Sequence, residues 1–173
     1  MIILYLVLAL IALLLLTAAI LPKTSTLTVS TVIDRPVREV FEYVKHLKNQ
    51  KYYSVWVMAD PDVKLSYTGE DGTVGFISAW SSDNKNVGVG AQEITNIVDG
   101  QRYDVELRFE KPFKATNQAY TTTEALGNDQ TRVTNVFTAH SAFPMNLMSV
   151  LMKNMLLRDM NQNMANLKKE LEV

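Results

Sequence analysis

Two histidines, 18 carboxylates and no cysteine are the groups with which this 173-residue chain could do acid–base, nucleophilic or metal chemistry. Acid–base catalysis needs a titratable group inside a cavity. His46 falls at the end of a helical pattern, where the helix dipole favours a solvated cation. His140 falls near the end of the last strand pattern, from which it could reach only a rim. Glu93, Glu106 and Glu124 fall on the wet faces of strands. No His or Glu pair stands at metal-ligand spacing, and there is no HExxH, phosphate loop or Gly-x-Ser-x-Gly. Without cysteine there is no disulfide, thiol nucleophile or cysteine-ligated zinc. The pattern thus gives no catalytic set and implies no metal and no cofactor.

Binding chemistry is better represented. Six of the eight methionines lie between Met145 and Met164. Methionine is flexible and polarizable, so a wall carrying Met148, Met152 and Met155 suits an apolar ligand of variable shape. Core filling beneath a sheet would place the same residues on the same face. Trp56, Trp80, Tyr103, Phe109 and Phe137 are the aromatic candidates for the same wall, since rings bring large contact area at few rotamers. Trp56 sits in a loop, where a pocket mouth would form. Asn117 and Asn135 could orient a polar group of the ligand.

These residues need positioning elements. Residues 25–33 alternate as a half-buried strand. Asp34 can cap a following helix with Pro36 in its first turn, and Val37, Val40, Phe41, Val44 and Leu47 recur at helical spacing to about Lys48. Residues 49–62 read as an irregular, aromatic-rich loop. Strands follow at 63–68, 73–80, 87–98, 101–109, 115–126 and 131–142. A polar turn falls over 81–86, a bend or bulge at Gly88 and Gly90, and a hairpin at Asp99-Gly100. From Pro144 to about Glu170 the period becomes helical. The order predicts an α+β fold: a curved antiparallel sheet of about seven strands around one long C-terminal helix, with a cavity between them for a ligand.

The first 22 residues are a separate object. Twenty of them are apolar, and all 17 basic and 18 acidic side chains come later. Residues 2–21 at 1.5 Å each span about 30 Å, the thickness of a bilayer's hydrocarbon core. A cleaved signal peptide would want a basic n-region, a shorter core and a better site than Thr17-Ala18-Ala19. The pattern therefore predicts one transmembrane anchor over 1–22 and one globular domain over 23–173. Lys23, Arg35 and Arg38 follow the span and favour a cytoplasmic domain. A formal net charge of −1 argues against nucleic acid as a partner. Nothing in the pattern specifies an oligomeric state.

Four stretches carry a family resemblance: VIDRPVREVFEYVKHLKNQ, GTVGFISAWSSDNKNVGVGAQEI, RYDVELRFEKPF and FPMNLMSVLMKNM. They are similar to the START/Bet v1-like (SRPBCC) superfamily, in its polyketide cyclase/dehydrase and lipid-transport-like branch, over residues 25–172. The resemblance implies the helix-grip fold and a lipid-like or other hydrophobic small-molecule ligand. Members with a single N-terminal span also occur. Two positions depart from the branch: Tyr53-Ser54-Val55-Trp56 stands where Trp-Ser-Pro-Trp is frequent, and Val133-Thr134-Asn135 where Val-Thr-Trp is frequent. Three functions stay open: a membrane-anchored binding domain for an apolar molecule, a cyclase or dehydratase-like enzyme, and a non-catalytic protein-interaction module.

Overall fold

The computed structural model describes every residue except 85 and 86. Helix α1 (Ile2–Ile20) leads into strand β1 (Thr24–Ile33). Helix α2 (Val37–Lys45), a 3-10 turn at Leu47–Asn49 and the one-turn helices α3 (Gln50–Tyr53) and α4 (Val55–Met58) follow. Six strands come next: β2 (Lys64–Thr68), β3 (Ile77–Ser81), β4 (Val89–Val98), β5 (Arg102–Lys111), β6 (Ala115–Ala125) and β7 (Thr131–His140). Helix α5 (Asn146–Leu171) closes the chain. The strands form one antiparallel sheet in the order β1-β7-β6-β5-β4-β3-β2, curved around α5 as the helix-grip fold requires.

Alternation along the strands creates the inner face. On β1, Leu27, Val29 and Ile33 are buried while Thr26, Thr28 and Ser30 are exposed. On β5, Tyr103 and Val105 are buried inward, whereas Arg102, Asp104, Glu106 and Arg108 lie outside. There Arg108 bridges Glu106 and Glu93, and Arg132 pairs with Glu124. All three glutamates thus occupy the wet face. The bend expected near Gly88 and Gly90 is a register shift between Val89 and Gly90. Gly90 is required by close approach: a Cβ there would lie 2.5 Å from the Trp80 ring and 2.6 Å from the Arg108 carbonyl.

Several local expectations change. Asp34 does not cap α2; Pro36 occupies the N-cap. The backbone N–H of Asp34 instead donates to Glu172 at 2.7 Å, and its carboxylate accepts from Gln130, so Asp34 fastens the end of β1 to the end of α5. Residues 49–62 are not irregular throughout. They hold the 3-10 turn's end, α3 and α4, because amides on α5 satisfy their backbone: Asn163 Oδ1 accepts the Val55 N–H at 2.8 Å and Asn166 Nδ2 donates to the Tyr53 carbonyl at 3.0 Å. The strand expected from 73 begins at Ile77. Residues 73–76 turn instead, with the Phe76 N–H donating to the Thr73 carbonyl and Gly75 at φ 89°. The polar turn expected over 81–86 lies partly outside the described residues.

Helix α5 is about 39 Å long at 1.5 Å per residue and runs from one end of the sheet to the other. Its distal half grips: Met160, Asn163, Met164, Leu167 and Leu171 are buried. They join Leu27, Val29, Ile33, Ile94, Tyr103 and Val133 in one core. From Leu147 to Met155 no residue is buried.

Helix α1 is the one described helix long and apolar enough to cross a membrane, and Ala18 is its only buried residue. Its end is fastened to α5. Asn146, 1% exposed, donates from Nδ2 to the carbonyls of Ala18 (2.7 Å) and Leu21 (3.0 Å). These are orphan acceptors of a helix terminus, so the amide acts as a C-cap supplied in trans. Asn146→Leu keeps the volume and leaves those acceptors unpaired, a loss of about 1–3 kcal/mol. We expect trypsin to cut after Lys23 about tenfold faster or more, 1.4 kcal/mol being one decade. An unchanged rate would show that the cap does not hold the junction.

Candidate functional site

The sheet register sets which side chains share the inner face. Trp80, Gly90 and Phe109 form one row across β3, β4 and β5. Phe137 pairs across to Leu27 and Ala119. The Trp80 and Phe109 rings meet edge to face with centroids 5.7 Å apart, and the Trp80 indole N–H donates to the Val87 carbonyl at 3.3 Å. Trp80, Leu107, Phe109 and Phe137 are half-buried.

The candidate methionines lie on one side of α5. Met148, Met152, Met155, Asp159, Asn163 and Asn166 recur at three and four residues and so share a helix side. Distally that side meets α3 and α4 through Asn163 and Asn166. Proximally no α3 or α4 residue is bonded to it, and the three methionines are 38–42% exposed. The partly open apolar side chains from which the expected cavity would be built are thus Leu107, Phe109, Phe137 and Trp80 on the inner face and Met148, Met152 and Met155 on α5. Trp56 is exposed on α4. Tyr103 lies deeper, buried in the core rather than in the cleft. Two surface depressions share residues with the row across β3, β4 and β5, Trp80 and Gly90 in one and Phe109 in the other. The first, about 340 Å³, runs along β2–β5, with Lys64, Ala79, Ala91 and Arg108 also in its lining. The other, about 590 Å³, surrounds the β5–β6 turn.

The inner face also carries hydrogen-bonding groups. Gln92 Nε2 donates to Gln50 Oε1 at 2.6 Å, and Asn135 Nδ2 donates to Thr121 Oγ1 at 3.0 Å. Asn117 Oδ1 is occupied by the His140 backbone N–H at 3.0 Å, so this amide is tied into the sheet. His140 itself is exposed, its Nδ1 3.2 Å from Thr24 Oγ1. His46 caps α2, with Nδ1 2.6 Å from the Glu42 carbonyl. Among the described residues no Asp, Glu, His, Lys or Arg is buried, and no group of acidic or imidazole side chains could hold a metal ion.

The titratable groups that do face inward are phenols. Burial raises Tyr103, partly offset by hydrogen bonds with Thr121 and Tyr53. Burial likewise pushes Tyr53 well above the ordinary range, helped by the neighbouring phenols of Tyr103 and Tyr43. Tyr43 is pushed up to about 12, by burial first and then by Glu170. A group whose folded pKa exceeds its unfolded value stabilises fully below the unfolded pKa and loses that contribution as pH rises through the folded one. The urea midpoint should therefore fall once pH passes about 10, the unfolded phenol value. Tyr53→Phe combined with Tyr103→Phe should flatten that fall. If the folded protein titrates all seven tyrosines at 295 nm near pH 10, the buried phenols are not protected.

Sequence reasoning missed Asn146, Asn163 and Asn166, the amides that join α5 to α1, α3 and α4. Their signal was present as polar residues interrupting a helical apolar stripe.

Comparison with known proteins places this geometry. Residues 24–172 match the family described as polyketide cyclase / dehydrase and lipid transport. Curated proteins give no match. Norcoclaurine synthase from Thalictrum flavum, solved with dopamine and hydroxybenzaldehyde, is similar at 12% identity and a TM-score of 0.65, over 91% of this chain and 93% of that one. A Nitrosospira multiformis protein is similar at 16% identity and a TM-score of 0.61, over 85% and 96% of the two chains. A Mycobacterium smegmatis protein is similar at 19% identity and a TM-score of 0.57, over 84% and 90%. At these identities the structures establish the fold, and the match across nearly the whole domain establishes the kinship: the chain belongs to the polyketide cyclase/dehydrase and lipid transport family.

Proposed function

We propose that the chain is a membrane-anchored binding domain for a lipid-like or other apolar small molecule. The ligand lies in the cleft between the inner face of the sheet and the proximal half of α5. The observation that carries this reading is the stretch from Leu147 to Met155, where α5 buries nothing while Trp80, Leu107, Phe109 and Phe137 opposite it stay half-open. Apolar surface left partly wet on both walls gains by covering, at roughly 25 cal/mol per Å². Met148, Met152 and Met155 let the overhang adapt to ligands of different shape. Helix α1 spans the bilayer and keeps the domain where such ligands concentrate. Lys23, Arg35 and Arg38 after the span favour a cytoplasmic domain. The family supports a hydrophobic small molecule as ligand.

The binding reading is favoured over catalysis because the inner face offers phenols held protonated by burial and no buried carboxylate or imidazole among the described residues. Such phenols donate hydrogen bonds well and exchange protons poorly near neutral pH.

The test uses Trp80 as reporter. In Trp56→Phe, Trp80 is the remaining tryptophan. Titrating a brominated fatty acid onto this chain in lipid nanodiscs should quench it saturably, and excess unlabelled fatty acid should reverse the quenching. Quenching that grows linearly and resists competition would mean partition into the bilayer alone and would overturn the assignment.

A further inference from the structure

We infer that the proximal end of the domain is itself a membrane-contact surface: Phe113, Phe143, Met145, Leu147, Val150 and Leu151 sit in the interface of an anionic bilayer, so that the cleft opens at the lipid surface. This rests on the reading of α1 as a span.

Antiparallel order fixes what shares that end of the sheet. The start of β1, the end of β7, the β5–β6 turn and the first turns of α5 all lie there. The β5–β6 turn is two and three strands from β1, about 10–15 Å at 4.8 Å per strand. Phe113 at its tip is 64% exposed, and Phe143, before α5, is 48% exposed. Neither has a packing partner in the core.

The outward side of α5 changes character along its length. Near its start it presents Leu147, Val150 and Leu151, the last 69% exposed. After that the same side reads Asn154, Arg158, Asn161, Gln162, Ala165 and Lys169, all exposed. The switch comes about 9 Å from the first residue of the helix at 1.5 Å per residue. An interfacial helix buries its apolar face about 5–10 Å into the headgroup and acyl boundary. The apolar patch is continuous with α1, because Asn146 holds the end of that helix against the start of α5.

Charge points to the same occupant. Lys23, Lys111, Lys114 and Lys153 surround the patch, all exposed and all without an ion pair among the described residues. Long lysine stems lie along apolar surface while their heads reach phosphate. Each lysine near an anionic surface favours contact by about 1 kcal/mol, or about fivefold. Of the acidic groups at this end, Glu110 stands beside Lys111, whereas Asp60, Asp62 and Asp83 lie at the opposite, β2–β3 edge.

The chain has no cysteine, so single labels are unambiguous. The full chain carrying Leu10→Cys, Phe113→Cys, Leu151→Cys or Asp99→Cys is labelled with an environment-sensitive nitrobenzoxadiazole dye. Each is reconstituted in nanodiscs of phosphatidylcholine with phosphatidylglycerol, with and without nitroxide-bearing lipid. Labels at 113 and 151 should lose fluorescence when the nitroxide lipid is present, since they would sit at the headgroup and acyl boundary. The label at 99, in the β4–β5 turn at the distal end, should be unaffected. Lys111→Gln with Lys114→Gln should weaken the quenching at 113 in anionic discs but not in pure phosphatidylcholine. If position 10 is quenched while 113 and 151 behave like 99, the contact surface is overturned and the anchor stands. If position 10 is not quenched, the anchor reading fails and takes this inference with it. The Trp80 titration reports on the cleft independently of either result.

Discussion

Leu167→Ala should lower the stability of the domain by about 2–5 kcal/mol, while Leu151→Ala should leave it within about 0.5 kcal/mol. Both are leucines on the same helix, sixteen positions apart. Leu167 is 1% exposed inside the core that joins α5 to β1, β4, β5 and β7. Removing it costs the transfer energy of the lost atoms and leaves a cavity that neighbours such as Ile33 and Val133 cannot fill by small shifts. Leu151 is 69% exposed within the chain, so its truncation removes little contact within the fold. Urea unfolding of the full chain in nanodiscs, followed by tryptophan fluorescence, measures both. Equal losses would mean that the outward side near the start of α5 is also packed in the folded protein, and the division of the helix into a gripping and an unburied half would fail.

A carboxylate in the overhang should separate binding from folding. Met152→Asp is expected to weaken binding of the brominated fatty acid tenfold to a hundredfold or more, since covering an unpaired polar group costs about 1–3 kcal/mol and an ionised one more. Met152 is 38% exposed in the free protein, so the carboxylate stays hydrated until the ligand covers it. The urea midpoint should therefore hold. A variant that binds as before would show that the ligand does not pass beneath this face of α5. A variant that loses binding and stability together would place Met152 in the core.

The contrast between these two predictions shows what could be read from residues alone. Strands with one wet face were legible because alternation is local: Arg102, Asp104, Glu106 and Arg108 against Tyr103, Val105, Leu107 and Phe109 can have only one arrangement. Helix α5 was legible from its period. Its division into a gripping half and an unburied half was not, because residue type does not separate the exposed Met148, Met152 and Met155 from the buried Met160 and Met164. Burial separates them, and burial depends on how far α3 and α4 reach. Those one-turn helices are themselves too short for a periodic signal and are held by Asn163 and Asn166 from more than a hundred residues away. The same holds for Asp34, whose sequence neighbours suggest a cap and whose actual partner is Glu172.

Of the eight residues predicted to line a ligand site, Trp80, Phe109 and Phe137 lie half-buried on the sheet and Met148, Met152 and Met155 lie exposed on α5. Trp56 is exposed on α4, and Tyr103 belongs to the core. Aromatic type and strand parity identify the inward face but do not give depth along it. Tyr103 is two strand rungs deeper than Leu107 and lies under Tyr53, a contact that no local pattern encodes.

The most direct measurement is photolabelling of the full chain in nanodiscs with a diazirine-bearing fatty acid, the adducts mapped by mass spectrometry with and without excess unlabelled fatty acid. An occupied cleft predicts adducts on Leu107, Phe109 or Phe137 and on Met152 or Met155 that competitor removes, alongside adducts on α1 that competitor leaves. Adducts confined to α1 and the exposed start of α5, unmoved by competitor, would contradict a ligand between sheet and helix.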